Sequence, residues 1–286
     1  MNRKAIKNVL RKKLNQLIES IEDKAVKKLV KDNTIITGGC IASMLLGEEV
    51  NDFDLYFTNK ETVIAVAEYY IKRYNTETGK VSPTLLVSPD EARVRISIKN
   101  NPVAMPQDDE ELPGEGDLAF DAPSDAEAVF PFRPRWFTDN AISLSGSVQL
   151  IVRFYGEPEE VHKNFDFVHC MCYWTSAFNN LVLPPDSLES LLAKELRYNG
   201  SLYPLCSIIR TRKFINRGWK CNAGQYLKMC IQLNELNLKD IPTLQDQVAG
   251  VDSLYFMRVL ELLQEKADSG DKLENTYIIE IIDRIF

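Results

Sequence analysis

The sequence predicts an α+β fold: a mixed β-sheet with helices against it, followed by an all-α C-terminal region. Three observations predict it. Residues 34–57 pass from a β-branched run through a glycine pair into a short apolar helix, then back into a strand. Residues 3–32 and 62–74 place apolar side chains at helical spacing, so helix and strand alternate along the first part of the chain. Beyond about residue 184 the periodicity becomes helical throughout.

A chain of 286 residues can bury one large core or two modest ones, and 45% hydrophobic with 26% charged residues is an ordinary globular composition. The net charge of −7 argues against a uniformly basic nucleic-acid coat. The charge is nevertheless uneven: residues 1–31 carry ten Lys/Arg against three acids, and residues 107–127 carry nine acids and no base. No apolar run approaches the roughly 20 residues of a membrane span, and the basic start lacks the apolar core of a signal peptide. The expectation is an intracellular protein with no membrane partner. Six cysteines in such a chain point to reduced thiols and not to a disulfide framework.

Taken in order, Ile6, Val9, Leu10, Leu14, Leu17, Ile18 and Ile21 form the apolar stripe of an amphipathic helix over residues 1–32, with a break near Glu22 and Asp23. Its basic face is either solvated or a nucleic-acid contact. The next stretch, TIITGGCIASMLLGEEVNDFDLYF, reads as strand, diglycine turn, helix and strand. Asp52 and Asp54 stand at the leading edge of that second strand, and period-two alternation puts both on one face with Phe53 and Leu55 on the other. Two adjacent carboxylates repel unless a cation neutralises them, and hard oxygen ligands suit Mg²⁺ or Mn²⁺, which also bind substrate phosphates. Gly38 and Gly39 open a helix, where a backbone free of side chains can approach a phosphate.

Residues 85–87 and 94–98 read as strands around a Pro89-Asp90-Glu91 turn, and residues 102–134 as an acidic inserted loop, either solubilising or mimicking phosphate. Residues 141–144 and 148–154 form a hairpin about a Ser-Gly-Ser turn. Asp166, flanked by Phe165 and Phe167, is a third candidate carboxylate or a capping residue. Cys170 and Cys172 beside His169 lack a second ligand pair at zinc spacing. Residues 202–219 form a basic helix whose Arg210, Arg212, Lys213 and Arg217 either contact phosphates or pair with acids. Helices follow at 226–236, 254–263 and 277–286. The expected division is a basic helix at 1–32, a head at 33–183 and a helical region at 184–286.

The stretch at 38–55 resembles the polymerase-β-like nucleotidyltransferases, and in wording the head of class II CCA-adding enzymes and bacterial poly(A) polymerases, which read GGxVRDxLLG followed by DxDL. Gly38, Gly39, Ile41, Leu45, Leu46, Gly47, Asp52, Asp54 and Leu55 match; Ala42 and Ser43 stand in place of the Arg-Asp pair. Gln149 falls near the third carboxylate of that family, and residues 164–167 near its ribose-contacting RRDFT segment. Leu202, Tyr203 and Cys206 replace the EDxxR residues that select the base. The chain also looks like the nucleotidyltransferase-like proteins of tailed bacteriophages, which would place it in a host cytoplasm or a virion.

The resemblance implies a metal-dependent transfer of NMP from an NTP to a hydroxyl acceptor on RNA, protein or a nucleotide. Asp52 and Asp54 would hold Mg²⁺ or Mn²⁺, Asp166 would complete the catalytic set, and Gly38, Gly39, Arg210 and Arg212 would contact phosphates. The rival expectation is an inactive nucleotidyltransferase-fold protein that serves as a binding, structural or assembly module with protein partners.

Overall fold

Alternating apolar residues on successive strands put one continuous row of side chains inside the sheet and the next row outside it. The computed structural model describes residues 1–79, 81–87, 94–97, 132–138, 140–238 and 240–248, with single positions at 276, 279, 280 and 283. The acidic stretch at 107–127, the 89–91 turn, and most of the helices expected at 254–263 and 277–286 lie outside the described residues. The chain divides into two compact units, Met1–Ala193 and Lys194–Phe286.

The first unit opens with α1 (Arg3–Ser20) and α2 (Lys24–Asn33). Asn2 and Asp23 cap them by accepting backbone N–H bonds from Ala5 and from Ala25 and Val26, which fixes the break at 21–23. Their buried stripes, Ile6, Leu10, Leu14 and Leu17, then Val26 and Val30, match the helical spacing read from the sequence. The motif at 34–57 folds as expected into β1 (Thr34–Thr37), α3 (Gly39–Leu46) and β2 (Phe53–Phe57). Then come α4 (Lys60–Thr78), β3 (Thr84–Val87), β4 (Val94–Ser97), β5 (Pro134–Phe137), β6 (Ala141–Leu144) and β7 (Val148–Tyr155). A short α5 (Pro158–His162) and a 3₁₀ turn (Val168–Cys170) lead into β8 (Tyr173–Thr175), β9 (Asn180–Val182) and α6 (Pro185–Ala193).

The main sheet has seven strands in the order β5-β6-β7-β2-β1-β8-β9, while β3 and β4 pair separately. Within it β2 and β7 are parallel and the other pairs antiparallel, so the expected mixed sheet is present. Register joins Leu181, Trp174, Ile36, Leu55, Leu150, Ile142 and Phe137 into one row across all seven strands, each at most 6% exposed. Helix α4 packs on this face, with Tyr74 edge-on to Phe137 at 5.0 Å. The opposite face is covered at one end by a smaller cluster in which Val161, Phe165 and Phe154 meet Ile35 and Tyr56.

Among the described residues of the second unit, Glu195 and Lys220 form an isolated bridge. The unit holds α7 (Pro204–Asn216), α8 (Ala223–Leu233) and α9 (Ile241–Val248), which bears out the all-α C-terminal region. No helix among the described residues is long and apolar enough to cross a membrane.

Candidate functional site

The sheet row one residue further along lies on the opposite face. Register joins Val182, Tyr173, Thr37, Asp54, Gln149, Ser143 and Trp136, and most of these are half-buried or exposed. Residues directly opposite in neighbouring strands share a face about 4.8 Å apart, so Asp54 looks out between Thr37 and Gln149. Asp52, just ahead of β2, is likewise half-buried.

Gly38 makes the turn between β1 and α3. Its φ is +91°, a conformation that side chains disfavour, and a Cβ added there would sit 3.1 Å from Asp54 Oδ2. Its N–H donates to Cys170 O at 3.1 Å, tying the turn to the 3₁₀ segment. Gly39 is exposed, with open space where a Cβ would be. Gly47 closes α3 in the left-handed region. The glycine turn and the Asp54 carboxylate are thus in contact. Cys40, fully buried at the start of α3, has its thiol pushed up by burial first and then by the charges of Asp54 and Asp52, which places both carboxylates close to it.

Thr37, last in β1, is held from behind. Its hydroxyl donates to Cys172 O at 2.9 Å and lies 2.8 Å from His162 Nε2. The ring sits between Phe165 (4.9 Å) and Tyr173 (5.5 Å). Burial lowers the His162 pKa to about 4, opposed by the Glu159 charge, so the imidazole is neutral near pH 7. Sequence reasoning passed over this pair, although His162 is one of only two histidines in the chain.

The other expected residues fall as follows. Asp166 is buried between α5 and the 3₁₀ turn. Among the described residues no three His, Cys, Asp or Glu side chains gather as a metal-holding group, so Asp166 does not join Asp52 and Asp54 in one, nor do Cys170, Cys172 and His169 form one. Ala42 and Ser43 are buried in α3 packing, 5% and 7% exposed, so the place of the missing arginine faces the interior here. Arg210 and Arg212 lie on α7 in the second unit, Arg210 half-buried and Arg212 exposed. In the same helix Cys206 is buried and its thiol donates to Gln247 O, and Tyr203, just ahead of the helix, is 9% exposed.

A family model described as Gabija anti-defense 2 family protein matches residues 8–194, well over half of the chain. The chain belongs to that family. The Gabija anti-defense 2 protein of Bacillus phage SPbetaL7 is 19% identical over 272 residues, 95% of this chain and 53% of its own length, so the chain spans about half of that relative. Among solved structures, the Thermotoga maritima CCA-adding enzyme complexed with tRNA is similar at 12% identity and a TM-score of 0.40, over 88% of this chain and 54% of that one. A CCA-adding enzyme with CTP is similar at 12% identity and a TM-score of 0.45, over 91% and 52%.

Two half-buried carboxylates on or beside one strand, Asp54 of them against the glycine turn, fit a hard divalent cation, which binds through one or two protein carboxylates and completes its shell with water and substrate phosphates. Among the described residues no third acid joins them, and Gln149 holds the position beside Asp54 on β7.

Proposed function

We propose that this Gabija anti-defense 2 family chain transfers a nucleotidyl group from an NTP to a hydroxyl acceptor, and that this transfer opposes the Gabija defence for which the family is named. The observation that carries the reading is the contact between the glycine turn and a carboxylate: a Cβ at Gly38 would meet Asp54 Oδ2 at 3.1 Å. Phosphates bound along the turn would therefore lie beside Asp54. Asp52 and Asp54 would hold Mg²⁺ or Mn²⁺, which when bound would neutralise charge on the triphosphate. The chain itself supplies the rest. Thr37, fixed by Cys172 O and His162, sets the end of β1, and Gly38 sets the distance between turn and carboxylate. By the sequence resemblance Asp166 would hold the ribose, and Arg210 and Arg212 would contact phosphates.

The reaction forms a bond from the acceptor oxygen to the α-phosphorus and breaks the bond to the β-phosphate oxygen, releasing pyrophosphate. The acceptor's proton goes to water, because the Gln149 carboxamide is no base. The test is incubation with each α-labelled NTP and Mg²⁺ or Mn²⁺, with RNA, DNA and Gabija proteins offered as acceptors. Label should appear in one acceptor and vanish with Asp54→Asn, and the same variant should fail to protect phage on Gabija-bearing cells.

A second reading, an inactive fold that binds a defence protein, is favoured by one observation: a carboxamide in place of an acid directly beside Asp54. Protection by Asp54→Asn equal to that of the unaltered chain, with no label transferred, would establish it.

A further inference from the structure

We propose that Trp136 is a stacking platform for a base of the acceptor, and hence that the acceptor is the end of a single-stranded nucleic acid. This inference rests on the transfer reading above for the word acceptor, and on the sheet alone for the site. Trp136 lies in the Asp54 row, three strands away, with Gln149 and Ser143 between them. The next pair inward, Phe137 with Ile142, is buried on the opposite face, so the indole stands on the carboxylate's face. It is 45% exposed, whereas the other two tryptophans, Trp174 and Trp219, are 2% and 4% exposed. Gln149 and Ser143 are half-buried, and neither side chain bonds to another described residue, so the strip between indole and carboxylate is polar with hydrogen-bonding groups to offer a ligand.

Direction decides which substrate meets it. Displacement at phosphorus runs with attacking and leaving oxygens roughly in line. The glycine turn lies at the end of β1, on one side of Asp54, and Gln149, Ser143 and Trp136 lie on the other. With the leaving pyrophosphate on the turn, the attacking hydroxyl arrives from the Trp136 side. Three strand spacings separate Trp136 from Asp54 by about 14 Å, farther than a base reaches from its own 3′ hydroxyl. The stacked base therefore belongs to a nucleotide behind the reacting one, which selects an oligonucleotide over a mononucleotide. Aromatic stacking takes any base, so this platform favours nucleic acid without reading its sequence.

The full chain titrated with a short oligoadenylate should show quenching of the exposed-tryptophan emission, in the unaltered protein and in Asp54→Asn alike, and no ligand-dependent quenching in Trp136→Phe. Anisotropy of a labelled oligoadenylate should show roughly 10-fold or weaker binding for Trp136→Ala, with Trp136→Phe, which keeps a ring, within about 3-fold of the unaltered chain. ATP alone should quench little. Unchanged oligonucleotide affinity in Trp136→Ala overturns the proposal, as does full quenching by ATP with none added by the oligonucleotide, or equal Trp136-dependent binding of an acidic peptide. Label transfer to RNA that Trp136→Ala leaves unaltered overturns the platform and spares the transfer reading. Trp136-dependent oligonucleotide binding without any transfer supports the platform and overturns the transfer reading instead.

Discussion

Leu150 and Gln149 are consecutive residues of β7 with opposite surroundings. Leu150 is fully buried in the row that crosses all seven strands; Gln149 lies half-buried beside Asp54 on the other face. The same contrast separates Leu55 from Asp54 on β2 and Ile36 from Thr37 on β1. One set of strands therefore carries two independent patterns, an apolar row that holds the sheet to α4 and a polar row that carries the candidate site. Substitutions on the first should act on stability, and substitutions on the second on binding and transfer.

The largest test of that separation is Leu150→Ala, which removes a fully buried side chain and should cost about 2–5 kcal/mol in denaturant unfolding. Its neighbour, Gln149→Ala, should cost no more than about 0.5 kcal/mol. Similar losses for both would break the two-face picture. Next comes acid. His162 has its pKa lowered by burial from 6.5 to about 4, so as pH falls the unfolded chain takes up the proton first. The stability it contributes is complete above pH 6.5 and is lost between 6.5 and 4, on the order of 2–3 kcal/mol. His162→Asn should flatten the unfolding free energy over that window.

Gly38→Ala should cost about 1–2 kcal/mol, because φ is +91° and the new methyl meets Asp54 Oδ2. Alone among these changes it should lower stability and nucleotide binding together, since the turn belongs to both patterns. The smallest effect sharpens the comparison. Gln149→Asp sets a like charge directly opposite Asp54 and should destabilise by under about 1 kcal/mol. Millimolar Mn²⁺ should reverse the sign in thermal unfolding of that variant and leave Gln149→Ala unmoved.

Much of this was legible in the sequence because it depends on local chemistry. Glycines at 38, 39 and 47, β-branched Ile35 and Ile36, and the alternation of Asp52 to Leu55 fix a strand, a turn, a helix and a strand without reference to anything distant. Gln149 could be set beside Asp54 because a known pattern of strands supplied the pairing. What could not be read depends on pairing between remote segments. Pro134–Phe137 is four residues with a proline at the edge of the sheet, and nothing in it shows that Trp136 would share a face with Asp54. The bond between Thr37 and His162 spans 125 positions and leaves no local trace. Asp166 read as a third candidate carboxylate because an acid between aromatics fits both a site and a helix cap; the fold buries it, and among the described residues it forms no metal-holding group with Asp52 and Asp54.

The parallel pairing of β2 with β7 has a consequence for how the chain folds. Antiparallel neighbours can be joined by a tight turn, but a parallel pair needs a crossover, and here the chain from Phe57 to Val148 supplies it. That crossover includes the acidic residues 107–127. The entropy of closing a loop grows only with the logarithm of its length, about 0.6 kcal/mol for each doubling. The pairing that sets Gln149 beside Asp54 thus joins strands far apart in the chain, and its closure entropy is only weakly sensitive to that separation. The toll falls on speed, because Asp54 acquires its neighbour on β7 only after that long stretch has been synthesised and closed.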